Sequence, residues 1–272
     1  SATNEGGAIY FNYKGVVTNC NFTDNSAPYG SGAIYFSQQG TVSNSIFTNN
    51  MVSKEAPQGG AIKIGWGSVT NCTFINNSAY EGGAVFFIGE GTVTDCIFIN
   101  NTGRDGNDIY IYSSTLTASN SVFLDSNAGN SIAKESSAAA NVNYNFWGTN
   151  SKPTVGNGID ADTWIILNAA SAPEDILVGD EVTIVASFNQ TNSTNGAISS
   201  YTKKLPDGVP VTLLSNTENI GTATTKNGKA SIDYTVKSSD RQLTVTCGDS
   251  HRPEALRCGL WDSRPALPSR RQ

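Results

Sequence analysis

The chain has 272 residues and 38% hydrophobic residues, enough for two modest domains with a sizeable core. Its formal net charge of −6, with one His, argues against a nucleic-acid partner, because neutralising phosphates requires clustered Lys and Arg. It contains no run of about 18 apolar residues, so the sequence predicts no membrane-spanning helix.

Two short motifs recur in register through the first half of the chain. Gly-Ala followed by a β-branched residue occurs at 7–9, 32–34, 60–62 and 83–85, with a degenerate copy at 108–109. Val-Thr-Asn-Cys-x-Phe-x-x-Asn, with small departures, occurs at 17–25, 42–50, 69–77 and 93–101, and residues 143–148 close the series. A repeat of this length without helical periodicity predicts a parallel β-solenoid of about five to six coils over 1–150.

Aligning the copies separates inward from outward positions, since side chains alternate along a strand. Uniformly apolar columns are predicted to face inward, and a column of Asn and Asp is predicted to occupy stacked turns that tolerate unusual φ. The inward columns are Ile9, Ile34, Ile62, Val85 and Ile109; Phe11, Phe36, Ile64, Phe87 and Ile111; and Phe22, Phe47, Phe74, Phe98 and Phe123. The turn column is Asn19, Asn44, Asn71, Asp95 and Asn120.

An outward column lies between the first two inward ones, and we call it the aromatic strip: Tyr10, Tyr35, Lys63, Phe86 and Tyr110. The core does not require aromatic residues there, and a stacked, exposed strip suits sugar rings or an apolar protein surface. The alternative is that Tyr and Phe simply favour strands and stabilise one another between coils. The strip is the predicted ligand-binding site.

Three cysteines fall in one repeat column, which reads Cys20, Ser45, Cys72, Cys96 and Ser121. A metal or redox site is one interpretation. A column of buried small residues beside the Phe column is the favoured one. Side chains in register on parallel strands point the same way, which argues against a Cys72–Cys96 disulfide. Cys20, Cys72 and Cys96 are therefore all predicted to be free thiols that react only after denaturation.

Acidic residues are scattered through the repeats rather than clustered. Polysaccharide lyases and hydrolases built on parallel β-helices need clustered carboxylates, often calcium, and a residue for proton transfer. Only Arg104 to Asp108 brings charges together, and we interpret it as a loop with solvated charges. The single His251 lies outside both predicted domains. No catalytic residue, metal ligand or cofactor is assigned, and such an enzyme is the alternative interpretation.

The second half has a different pattern. Residues 151–168 are predicted to be a polar linker. Residues 169–247 contain short alternating segments separated by Asn, Gly, Pro and Asp turns, which predict an antiparallel immunoglobulin-like β-sandwich. Residues 248–272 contain five Arg, no Lys and no Asn, so we interpret them as a non-native or disordered tail. Deleting residues 249–272 is predicted to change neither thermal stability nor binding.

The paired repeat motifs resemble those of chlamydial polymorphic membrane proteins, and together with "YNFWG" they resemble adhesin-like proteins of methanogenic archaea. The later "LPDGVPVTL" and "GTATTKNGKASIDYTV" are similar to bacterial-type immunoglobulin-like repeats of surface adhesins. The resemblance implies a right-handed parallel β-helix on an immunoglobulin-like stalk, displayed outside the cell to recognise a cell-surface glycan or protein. A purely structural cell-envelope component is the other non-enzymatic interpretation.

Overall fold

The structure is a computed structural model. It describes residues 5–52, 58–124, 130–156, 158–172, 178–240 and 242–247, together with the backbone of Leu256–Cys258. The described residues are all-β, and among them no helix is long and apolar enough to cross a membrane.

The first half is a parallel β-solenoid of about five turns. Most coils contribute two strands, or one long strand, to a first sheet and one strand to a second. The strands are β1 (Ile9–Phe11), β2 (Gly15–Thr18), β3 (Asn21–Thr23), β4 (Ser26–Ala27), β5 (Ile34–Ser43), β6 (Ile46–Thr48), β7 (Met51–Val52), β8 (Ile62–Thr70), β9 (Thr73–Ile75), β10 (Val85–Phe87), β11 (Gly91–Thr94), β12 (Ile97–Ile99), β13 (Ile109–Ile111), β14 (Thr115–Ser119), β15 (Val122–Leu124), β16 (Ile132–Lys134), β17 (Ala139–Asn141) and β18 (Ile159–Asp160).

The predicted inward columns form the solenoid core. They pair in strict register between coils and are buried, except that Ile9 and Phe11 of the first coil are half-buried. The rings of the second-sheet Phe column stack at centroid distances of 4.9–5.0 Å, and Trp147 continues the stack 4.6 Å beyond Phe123. Each fully buried side chain contributes roughly 1.5–3 kcal/mol relative to exposure, so the stack stabilises coils that could not fold alone.

Each repeat of the second motif ends in a pair of residues, Asp24-Asn25 in the first copy and Asn-Asn in the next three, and the two residues of the pair have different roles. The first residue has positive φ, as in Asn49 and Asn76 with φ of 57° and 55°. The second belongs to an asparagine ladder, defined as Asn25, Asn50, Asn77 and Asn101, of which the last three are buried. The Oδ1 atoms of Asn50, Asn77 and Asn101 each accept hydrogen bonds from the backbone N–H and the Nδ2 of the ladder member in the preceding coil. The predicted turn column also has positive φ throughout, as expected.

The paired glycines of the first motif are needed for two different reasons. Gly59 and Gly82 have φ of +74° and +62°, a left-handed conformation that favours glycine. The second glycine lies against the next coil: a Cβ on Gly83 would come 2.1 Å from the carbonyl oxygen of Asn107. The motif therefore permits both the turn and the close approach of adjacent coils.

The second half consists of two four-stranded antiparallel sheets whose residues share one apolar core. One sheet has β20 between β19 on one side and β24 and β21 on the other, and the other sheet has the order β23-β22-β25-β26. The strands are β19 (Thr163–Ala172), β20 (Glu181–Ser193), β21 (Ser199–Ser200), β22 (Pro210–Ser215), β23 (Glu218–Thr224), β24 (Lys229–Thr235), β25 (Leu243–Cys247) and β26 (Leu256–Cys258).

Two segments differ from their sequence-based expectations. The predicted linker, 151–168, contains β18, which pairs with β17 of the solenoid, and the start of β19, where Trp164 is buried. The predicted tail, 248–272, contains β26, which pairs with β25, and its other residues lie outside the described part of the chain.

The two halves share a continuous interface. Outward side chains of the last coils, including Ile97, Val122 and Leu124, belong to the core of the antiparallel half. Phe146 meets Phe188 edge-on with ring centroids 5.0 Å apart. The antiparallel half therefore packs against the side of the solenoid.

Candidate functional site

The aromatic strip exists as one column on the first sheet. Parallel pairing aligns Tyr10 with Tyr35, Tyr35 with Lys63, Lys63 with Phe86, and Phe86 with Tyr110. Side chains alternate along a strand, so the residues on either side of each strip residue point into the core. The five strip side chains therefore lie on one outer face.

Exposure along the strip is uneven. Tyr10 is 46% exposed, and Tyr35 and Lys63 are half-buried. Phe86 and Tyr110 are only 1% and 6% exposed, so the expectation that the whole strip faces solvent is wrong at these two positions. Their rings stack on each other at 5.4 Å, and the ring of Tyr112 lies 6.5 Å from that of Phe86. The accessible part of the strip is the end formed by Tyr10, Tyr35 and Lys63.

Lys63 lies between aromatic rings. Its Nζ is 4.8 Å from the ring centroid of Tyr35 and 5.9 Å from that of Phe86, so its ammonium makes cation–π contacts within the strip. Tyr10 meets Tyr35 edge-on at 5.3 Å. Burial lowers the pKa of Lys63, opposed by the negative charges of Glu5 and Glu81.

Four carboxylates border the strip, and we call them the acidic border: Glu5, Glu81, Asp105 and Glu135. Burial, then the charge of Glu5, raises the pKa of Tyr35. Burial, followed by Glu81, Glu135 and Asp105, raises the pKa of Tyr110 to about 12. The Tyr110 hydroxyl donates to Glu135 Oε2 at 3.3 Å.

Sequence reasoning missed the acidic border. Glu81 and Asp105 pair through an isolated parallel bridge, and Gln58 donates to Glu81 Oε2 at 3.0 Å. The available signal was positional, because Glu5, Gln58, Glu81 and Asp105 each precede their strip residue by five positions. Variable loops between the repeats hid this column, whereas the Gly-Ala and Phe columns were conspicuous.

The cysteine column has a structural role. Cys20, Cys72 and Cys96 are free, and each Sγ donates to the carbonyl two residues earlier at 3.2–3.3 Å. Ser45 and Ser121 do the same through Oγ. Cysteine and serine are thus interchangeable small donors here, as the buried-column interpretation predicts.

The thiols differ in environment. Cys72 and Cys96 are buried, but Cys20 is half-buried, so the expected protection of all three is not met at Cys20. A hydrogen bond between the thiols lowers the pKa of Cys72, while burial raises the pKa of Cys96.

The charged segment from Arg104 to Asp108 is not a solvated loop throughout. Arg104 is exposed and stacks 4.8 Å above the Tyr80 ring. Asp108 is fully buried at the position that Ala84 holds in the preceding coil, and its Oδ1 accepts from Asn101 Nδ2 at 2.9 Å. The expectation that all the charges of this segment are solvated is therefore wrong at Asp108. The reason is that the degenerate fifth repeat still pairs in register with the fourth coil.

Over the described ranges, no group of three His, Cys, Asp or Glu residues is arranged to hold a metal ion. His251 lies outside those ranges. The chain matches no protein family, curated protein or solved structure in the three comparisons made. The chain is thus a β-solenoid joined to antiparallel sheets, with one outer face that combines aromatic rings, a lysine and carboxylates.

Proposed function

We propose that this chain is a non-catalytic recognition segment of an extracellular, adhesin-like surface protein. The solenoid presents the aromatic strip to a cell-surface glycan or protein. The antiparallel half, an immunoglobulin-like sandwich in this proposal, serves as the stalk. Support for the stalk comes from its two antiparallel sheets around one core and from its sequence similarity to adhesin repeats.

One observation carries the proposal: aromatic rings remain accessible on a rigid face that needs none for its core. Tyr10 and Tyr35 are held in register by parallel pairing. Tyr10 keeps 46% of its surface exposed. Accessible rings fixed on a flat sheet lose little conformational entropy when they bind a ligand, which favours recognition.

The structural alternative is supported by a different observation. The burial of Phe86 and Tyr110 shows that part of the strip packs within the molecule. In that interpretation, the rings stabilise neighbouring coils and the chain only adds length to a cell envelope.

Binding assays on variants of the aromatic strip distinguish the recognition function from the purely structural one. We expect the chain to bind cells or arrayed glycans and proteins, and Tyr10→Ser with Tyr35→Ser to abolish this binding while leaving the fold intact. Tyr13→Ser with Trp66→Ser is the matched control, since both residues are exposed and lie outside the strip. No binding by the unaltered chain, or equal loss in both double variants, would contradict the proposal. Release of reducing or unsaturated ends from polysaccharides would instead indicate the enzymatic alternative.

A further inference from the structure

The chemistry of the aromatic strip indicates what kind of group it takes. The structure already seats one alkylammonium on the strip: Lys63 Nζ lies over the rings of Tyr35 and Phe86. The solenoid has a second example of this contact, in which the Arg104 guanidinium lies 4.8 Å from the Tyr80 ring centroid. Within the molecule itself, aromatic rings of the strip and of the solenoid therefore already hold organic cations.

The charges around the strip favour the same kind of ligand. The acidic border contributes four carboxylates, and Glu5 and Glu81 both act on Lys63. Within the described ranges, the Arg104 guanidinium stacks on Tyr80 and Lys134 Nζ donates to the carbonyl of Ala138 at 2.8 Å. An anionic ligand would be repelled by this border, and a neutral sugar would gain no charge complementarity from it.

We propose that the accessible end of the aromatic strip binds a basic segment of a partner protein, whose Lys or Arg side chains stack on Tyr10 and Tyr35 beside Glu5 and Glu81. This inference rests on the proposed recognition function and specifies the ligand of the same face. Lys63 acts as an internal occupant that a partner cation competes with.

The probe is an alternating Lys–Ser octapeptide, because an extended chain puts alternate side chains on one face. The corresponding Gln–Ser and Glu–Ser peptides are controls for charge. Affinity for the whole chain is measured by fluorescence anisotropy at near-physiological salt. We expect binding of the Lys–Ser peptide only, weakened roughly tenfold or more by Glu5→Gln with Glu81→Gln, because charged contacts at protein interfaces contribute at this level.

Two comparisons distinguish the strip from general attraction to an acidic protein. Glu90→Gln with Glu218→Gln removes the same charge from exposed positions elsewhere and should leave affinity unchanged. Tyr35→Leu keeps all charges and should weaken binding about two- to fivefold, the size of an exposed cation–π contact. Equal effects of the two Gln pairs, or no effect of Tyr35→Leu, would overturn the inference.

Lys63→Met gives the sharpest test. This substitution removes the ammonium group that lies over the rings of Tyr35 and Phe86, and with it a positive charge that repels a basic peptide. The Lys–Ser peptide should therefore bind about two- to fivefold more tightly. Weaker or unchanged binding would contradict a cation site. If the chain binds neutral glycans through Tyr10 and Tyr35 and ignores the peptide, the ligand class is wrong but the recognition function stands. If it binds neither, both proposals fail.

Discussion

Individual asparagines hold the coils of the solenoid together from inside. Asn77 accepts from Asn50 N and Nδ2 at 3.0 and 2.9 Å, and its own Nδ2 donates to Asn101 Oδ1 and to the Phe47 carbonyl at 2.9 and 3.0 Å. It is fully buried. A buried polar group is tolerated only when it is hydrogen-bonded, and each member of this ladder also satisfies groups of its neighbours.

Removing one member of the ladder should therefore destabilise the fold strongly. We expect Asn77→Ala to lower the free energy of unfolding by about 2–4 kcal/mol, because groups on two adjacent coils lose their partners at once. Urea denaturation followed by circular dichroism measures it, with the exposed Asn12→Ala as control. Similar stability of the two variants would show that water or local rearrangement satisfies the ladder.

A single buried carboxylate in the antiparallel half couples stability to pH. Burial alone would raise the pKa of Asp240, but hydrogen bonds from Ser215 Oγ at 2.5 Å, the Lys237 N–H at 2.8 Å and Tyr234 Oη at 2.9 Å lower it overall. A carboxyl whose pKa is lower in the folded state stabilises the fold above its unfolded pKa of about 3.9. That contribution is lost as pH falls through the lowered, folded pKa.

Asp240→Asn should remove this dependence. At about pH 7 we expect a loss of roughly 1–3 kcal/mol, because an amide cannot accept all three hydrogen bonds. Below the lowered pKa, the unaltered chain and the variant should converge. Unfolding free energies at about pH 7, 4 and 2.5 provide the measurement. A difference that stays constant across this range would exclude Asp240 as the titrating group.

At the level of elements, stacking of coils depends on glycine at fixed points. The second glycine of each Gly-Ala motif allows the backbones of adjacent coils to approach. In the fourth coil, a Cβ on Gly83 would also come 2.5 Å from the carbonyl oxygen of Thr102. Both oxygens belong to the backbone, so neither can move aside as the end of a flexible side chain could.

Gly83→Ala should consequently destabilise the solenoid by at least about 1–3 kcal/mol, the usual cost of forcing an extra methyl group into a packed interior. Gly156→Ala is the matched control, since its Cβ would lie 3.4 Å from the nearest atom, Ile159 Cδ1. Thermal unfolding of both variants decides the point. Equal melting temperatures would mean that the coils can move apart without penalty.

The repeat pattern predicted the solenoid strands because each coil repeats the same environment, so inward columns such as Phe22 to Phe123 are uniform. Predictions of exposure from the repeat pattern were wrong wherever a contact does not repeat from coil to coil. Phe86 and Tyr10 occupy equivalent positions, yet only Phe86 is buried. Asp108 is likewise buried in a column of alanines. Non-repeating contacts arise from tertiary packing, which the repeat pattern does not encode.

At the scale of the whole molecule, one outward column of the second sheet changes character along the solenoid. It reads Asn21, Ile46, Thr73, Ile97 and Val122 in register. Ile46 is 44% exposed, whereas Ile97 and Val122 are 3% and 0% exposed because they join the core of the antiparallel half. Hydrogen bonds from Asn120 to the Lys204 carbonyl and from Tyr201 to Asn120, both 2.8 Å, accompany this contact.

This shared core predicts that the two halves unfold together. Ile97→Asp places a charge among the apolar side chains of the interface and should lower the stability of both halves by about 3–5 kcal/mol or separate their unfolding into two transitions. Ile46→Asp makes the same change at an exposed position of the same column and should have little effect. Differential scanning calorimetry of the unaltered chain and both variants tests this. A single transition for the unaltered chain, with a large effect of Ile97→Asp alone, is the expected result. Two transitions in the unaltered chain, both insensitive to Ile97→Asp, would show that the halves are independent domains joined without mutual stabilisation.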